Sequence, residues 1–208
     1  MSKFLFLFPG QGAQYRGMGE DLFLNKSVAR RTYEEANDIL GYDLADVSFH
    51  DEKEQLTSTR YTQPALLTHS VACMRSFSEH SSGRYKAEIT AGHSLGEYSA
   101  LVAASCLTFA TALELVQKRG ELMSMYGKGQ MCAVPIARNI AEPLATKHFC
   151  GISACNLPEQ TVIGGLPSDI DKVLSGLRES HPQLKSTRLQ TEGAFHTYYM
   201  VEAAIYFR

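Results

Sequence analysis

Ser94 stands between two glycines in "AGHSLGEYSA", with His93 just before it and Glu97 shortly after. A G-x-S-x-G sequence suits a sharp turn from strand to helix that exposes the serine oxygen at the helix N-terminus. Unpaired N–H groups and the helix dipole there favour a developing negative charge. An alcohol becomes a useful nucleophile only when a neighbouring base takes its proton. Seven histidines compete for that role. The turn sends the His93 side chain in another direction, and His50, His80, His148 and His181 lie in polar, surface-like contexts. His69 falls on the packed face of a predicted helix and reads as a core residue. His196, in "GAFHTYY", is the best match for the base, because an imidazole can accept a proton and return it to a leaving group near neutral pH.

A second chemical signal is Arg119, on the apolar stripe of a helix predicted from about Thr108 through "FATALELVQKRGELMSMY", with Ala112, Leu115, Val116, Leu122 and Met123. Arginine cannot shed its charge, so burying it requires an anion nearby. Two sources are open: Glu97 in the helix after Ser94, or the free carboxylate of an acyl substrate whose thioester or ester carbonyl lies at Ser94. The second places the hydroxyl and the cation about a three-carbon diacid apart.

The elements needed to position these groups follow in order. Phe4 to Phe8 is a continuous apolar run, as in a strand buried on both faces, and "PGQGAQYRGMG" follows it as a glycine-rich loop. Tyr15 occupies the third fingerprint position and no Gly-Lys-Ser/Thr appears, so both nucleotide-binding readings fail. What remains is close backbone approach to a ligand near Gln11, permitted by Gly10 and Gly12. Pro64 predicts the first turn of a helix running to about Glu79. "AEITA", "GHSLG" and "EYSALVAAS" then read as strand, elbow and helix. From about 129 to 190 the pattern becomes βαββαβ, the ferredoxin-like order. The expected fold is therefore α/β: a large lobe of residues 1–128 and 191–208, and an inserted lobe of 129–190 with "GKG" and "TEG" as hinges.

Composition narrows the function classes. The 208 residues are 44% hydrophobic and 20% charged with a formal net charge of -2, enough for a sizeable core and without a basic stripe for nucleic acid. The N-terminal apolar run is too short for a signal peptide, and no run reaches the length of a membrane span. Five cysteines without a close-spaced framework fit reduced thiols, so a soluble cytoplasmic protein without a membrane partner is expected. His148, Cys150 and Cys155 match no zinc spacing, and no metal is expected.

The stretches "FLFPGQGAQYRGMG", "YTQPALLTHSVA", "AGHSLGEYSALVAA", "KRGELM", "ACNLPEQTVIGG" and "GAFHTYYM" together resemble the malonyl-CoA:acyl carrier protein transacylases and the acyltransferases of polyketide synthesis, in order and spacing. The resemblance implies a hydrolase-like α/β lobe carrying the ferredoxin-like insertion, and malonyl transfer from malonyl-CoA to the phosphopantetheine thiol of an acyl carrier protein, without a cofactor. It implies Ser94 as the acylated nucleophile and His196 as its base. The backbone N–H groups of Gln11 and Leu95 would form the oxyanion hole, Arg119 would hold the malonyl carboxylate, and Gln63 and Asn156 match polar positions near the site. Leu95 and Phe195 match the malonyl rather than the methylmalonyl pattern, and "GAFH" is similar to stand-alone polyketide acyltransferases. Family members continue well past the histidine, so the C-terminal part of the large lobe is expected to be missing here. Two rival readings follow: a serine acyl hydrolase or thioesterase, and a truncated, non-catalytic chain that docks a carrier protein.

Overall fold

The structure is a computed structural model and describes residues 3–208. The chain forms two compact units, Met1–Glu121 and Leu122–Arg208.

In the first unit, β1 (Leu5–Phe8) precedes three helices, α1 (Glu20–Asn25), α2 (Ser27–Leu40) and α3 (Leu44–Phe49). The long α4 (Thr59–His80), β2 (Ile89–Gly92), α5 (Gly96–Ala103) and most of α6 (Phe109–Tyr126) complete it. β1 and β2 pair in parallel, Leu5 opposite Ile89 and Phe8 opposite Gly92. The apolar run at residues 4–8 predicts burial on both faces, but Leu5, Leu7 and Ile89 are 53%, 69% and 65% exposed. The physical reason is the strand pleat: Phe6 turns to the edge of the Phe77 ring on α4, while the alternate residues face away, where nothing among the described residues covers them.

α4 begins five residues before Pro64 rather than at it. The missing proline N–H removes one bond near the helix start. The Thr62 hydroxyl, donating to the carbonyls of Leu56 and Ser58, anchors that turn. On α6 the buried face carries Ala112, Leu113 and Val116, whereas Leu115, placed on the stripe by spacing, is partly exposed. The core of this unit joins α4, α5 and α6 through Leu66, Leu67, Val71, Leu95, Leu113 and Val116.

The second unit contains β3 (Gln130–Val134), α7 (Arg138–Lys147), β4 (Gly151–Leu157), β5 (Gln160–Gly165), α8 (Pro167–Ser180) and β6 (Thr187–Leu189), followed by α9 (Val201–Phe207). Its sheet is antiparallel in the order β4-β5-β3-β6, with a bulged register in the β4–β5 hairpin. One apolar cluster brings Cys132 and Ile163 of the sheet together with Ile170, Val173 and Leu177 of α8. The segments "GKG" and "TEG" lie side by side: Ala194 N–H donates to the Lys128 carbonyl at 2.8 Å, and a Cβ on Gly127 would strike the Glu192 carbonyl at 2.7 Å. Such backbone-on-backbone contact makes them packed connectors.

Candidate functional site

Four segments of the first unit converge on Ser94. β2 ends at Gly92, and Ser94 adopts φ 53°, a left-handed conformation uncommon for a residue with a side chain. His93 N–H donates to the Phe8 carbonyl at 3.1 Å, and Gly96 N–H closes the turn on the His93 carbonyl at 2.9 Å. The flanking glycines are required by space: a Cβ on Gly92 would overlap the Gly96 backbone, and one on Gly96 would overlap the Phe8 carbonyl. Strain at the serine is thus held in place by close backbone packing on both sides.

The glycine-rich loop after β1 abuts the elbow. A Cβ on Gly10 would lie 2.5 Å from the His93 carbonyl oxygen, so Gly10 serves the approach of loop to elbow. Gly12 has open space around its Cβ position but a φ of 109°, so there the conformation demands glycine. Between them, the Gln11 N–H donates to no protein acceptor among the described residues, and neither does the Leu95 N–H at the start of α5. Leu95 itself is buried.

Arg119 reaches this point from α6. It donates to Gln63 Oε1 at 2.7 Å and to Ser94 Oγ at 3.2 Å, and its guanidinium carbon lies 5.9 Å from the centre of the Tyr98 ring. Burial lowers its pKa from the ordinary arginine value, against the charges of Tyr98 and Glu97, which raise it. The ion pair with Glu97, one of the two sources considered for the missing anion, is not formed: within this unit, among the described residues, no carboxylate pairs with Arg119. The cation also lies closer to the hydroxyl than a diacid's length, because it donates directly to the serine oxygen.

Gln63, on α4, is only 1% exposed, and its Nε2 lies 3.5 Å from Gln11 Oε1. Gln11 Nε2 in turn donates to Thr59 Oγ1 at 3.1 Å. Sequence reasoning missed Thr59 and Tyr98. Tyr98 could have been found four residues after Ser94, one helical turn on, whereas nothing local marks Thr59.

The remaining predicted residues belong to the second unit. His196 is exposed with φ 62°, in a turn where Thr197 Oγ1 donates to the Ala194 carbonyl at 2.6 Å. Phe195 is buried in a cluster with Met123, Met131 and Val162. Asn156 is exposed on the bulged part of β4. Among the described residues no three His, Cys, Asp or Glu side chains group as metal ligands. No helix among them is long and apolar enough to cross a membrane.

Residues 5–206 match the model of the acyl transferase domain. The chain belongs to the acyl transferase domain family. This acyl transferase chain is 38% identical over 213 residues to the malonyl CoA-acyl carrier protein transacylase of Bacillus subtilis, covering 98% of the chain and 66% of that protein. It is 39% identical over 208 residues to the polyketide biosynthesis malonyl CoA-acyl carrier protein transacylase BaeC of Bacillus velezensis, covering 95% of the chain and 68% of that protein. Its α/β fold matches the crystal structure of MCAT from Streptococcus pneumoniae, with a TM-score of 0.89 at 36% identity over 98% of the chain and 68% of the other. A type II PKS acyl-carrier protein in complex with its malonyl-transacylase gives a TM-score of 0.88 at 35% identity over 99% of this chain and 68% of that one. The acyl transferase chain therefore spans about two thirds of the length of these relatives.

Proposed function

We propose that this chain carries the acyl-transfer site of a malonyl-CoA:acyl carrier protein transacylase. The observation that carries the reading is Arg119: a buried guanidinium with no carboxylate partner among the described residues of its unit, hydrogen-bonded to the hydroxyl that would be acylated. A malonyl group brings the missing anion and sets its own carbonyl beside Ser94. A monoacyl substrate for a plain hydrolase would leave the cation unexplained.

In the proposed reaction Ser94 Oγ attacks the malonyl thioester carbonyl while the His196 imidazole accepts its proton. The N–H groups of Gln11 and Leu95, which have no other protein acceptor among the described residues, receive the tetrahedral oxyanion. The intermediate collapses, the C–S bond breaks, and coenzyme A leaves with the proton from His196. The phosphopantetheine thiol of a carrier protein then gives its proton to His196 and attacks the malonyl-serine ester. Serine oxygen departs with that proton, and malonyl thioester is released. Every bond made or broken uses these side chains, the backbone and the two thiols, so the reaction needs no cofactor.

Supporting roles complete the proposal. Leu95 and Phe195 favour the unbranched extender, a preference in which one methyl group is worth about 1–3 kcal/mol. Gln63 and Asn156 line the acyl site. The fine architecture is a hydrolase-like lobe of residues 1–128 and 191–208, with residues 129–190 inserted as a ferredoxin-like lobe; the paired connectors at Gly127 and Glu192 support it, since an insertion enters and leaves its host at neighbouring points. Resemblance to stand-alone polyketide acyltransferases favours carrier domains of an assembly line as acceptors, in the cytoplasm.

The deciding experiment compares Arg119→Ala with the unaltered chain on malonyl-CoA and acetyl-CoA, reading acyl-Ser94 by intact mass. Loss of a charge-assisted contact should lower malonyl transfer about 10- to 100-fold relative to acetyl transfer. Equal losses on both substrates would sink the carboxylate clamp.

A further inference from the structure

The site contains a directional chain of hydrogen bonds that the acyl-transfer reading does not use. Arg119 donates to Gln63 Oε1, Gln63 Nε2 faces Gln11 Oε1 at 3.5 Å, and Gln11 Nε2 donates to Thr59 Oγ1. Guanidinium has only donors, so Gln63 must turn its oxygen toward Arg119. Its amino group is then directed to Gln11, whose oxygen must face back and whose amino group must face outward. A series of amides oriented this way needs a terminal acceptor, and the Thr59 hydroxyl supplies it. Thr59 is 0% exposed and Gln63 only 1%, so the terminal acceptor and the amide that meets Arg119 are both shielded from water. Thr59 is also packed against α6, since a Cβ on Gly120 would lie 2.9 Å from the Thr59 carbonyl.

We infer that Thr59 is a positioning residue: acting through the Gln11 and Gln63 carboxamides, it fixes the Gln63 oxygen against Arg119 and so aims the guanidinium for a carboxylate-bearing acyl group. This rests on the malonyl-transfer reading. Without the acceptor at Thr59, the Gln11 carboxamide can rotate, and a reversed chain would turn the Gln63 amino group toward the guanidinium, donor against donor. The effect falls on substrates with a second carboxylate and spares those without one.

Calorimetric binding of malonyl-CoA and acetyl-CoA tests this, with Ser94→Ala throughout to prevent turnover. Thr59→Val should weaken malonyl-CoA binding about three- to ten-fold, the size of one net hydrogen bond, and leave acetyl-CoA unchanged. Thr59→Ser, which keeps the acceptor, should restore malonyl-CoA binding to within about two-fold of the parent, a difference of at most about 0.4 kcal/mol by the usual conversion. Unchanged malonyl-CoA binding in Thr59→Val, equal loss for both ligands, or failure of Thr59→Ser to rescue would each overturn the inference. Should Thr59→Val not fold, Thr59→Ala removes the same acceptor with a smaller side chain and should give the same malonyl-selective loss, its absence counting against the proposal. Arg119→Ala measured alongside separates the two levels. If it weakens both ligands equally, the clamp fails and the relay with it; if it is malonyl-selective while the Thr59 variants are silent, only the relay fails.

Discussion

The two units bury their sheets by different means. Residues Leu122–Arg208 use four antiparallel strands with helices packed on one face, and the central β5 is buried through most of its length. In Met1–Glu121, two short parallel strands leave Leu5 and Leu7 uncovered among the described residues, and the apolar core forms chiefly among α4, α5 and α6. Yet the thin sheet carries the strained serine, to which α6 brings the buried cation. Its strands deliver one loop and one elbow to the same point, where the backbones meet in close contact.

That contrast can be broken most directly at the elbow. Ser94→Ala should reduce acyl-enzyme formation on the order of 10⁴-fold or more, judged by the mass adduct, with no change in melting temperature. Gly92→Ala should instead fail structurally: its Cβ overlaps the Gly96 backbone, and a loss of about 3 kcal/mol or more is expected in denaturant titration. Gly41→Ala supplies the control. There φ is 73° but space is open, so only the conformational penalty of about 1 kcal/mol should appear.

In the second unit the expected cost comes from volume. Ile163→Ala, at a fully buried position of β5, should lose about 2–5 kcal/mol through the transfer and cavity effects of a core deletion. With the carboxylate clamp assigned to Arg119, malonyl-over-acetyl preference should be unchanged at temperatures where the variant stays folded. A shift in that preference would show that the antiparallel sheet helps set selectivity.

The smallest effect concerns pH. Burial lowers the pKa of His69 below its ordinary 6.5, despite the opposing charge of Asp21. The neutral ring is therefore favoured in the folded state, and the unfolded chain takes up the proton first. Stability should be unaffected by this group above about pH 6.5 and should fall as pH drops below it, by at most about 1.4 kcal/mol per pH unit, until the folded value is passed. His69→Leu should flatten that part of the pH–melting curve.

Local features were the most legible in the sequence. Gly92, Ser94 and Gly96 declare a turn whose crowding needs only neighbouring residues, and the periodicity around Arg119 places a charge on a packed face without knowledge of its partner. The alternation of strand and helix patterns from 129 to 190 matches the observed element order because each period is set by short-range geometry. Features that depend on distant segments were hidden. The run at Phe4–Phe8 reveals what a strand could bury and says nothing of what is present to cover it. Thr59 joins the site only because α4, the loop after β1 and α6 meet, and a hydroxyl at the start of a helix has an ordinary explanation as a capping group. Leu115 was misplaced because a three-or-four spacing admits two adjacent stripes, and packing against α4 and α5 selected the one through Leu113.

The left-handed backbone at Ser94 restricts which side chains this framework could accommodate there. Threonine offers the same oxygen, but its branched Cβ is poorly tolerated at positive φ, so that exchange is barred by sterics before reactivity is considered. Cysteine has no such branch. A redesign that trades oxygen for sulfur can keep the existing main chain, while one that adds a methyl group would have to rebuild it.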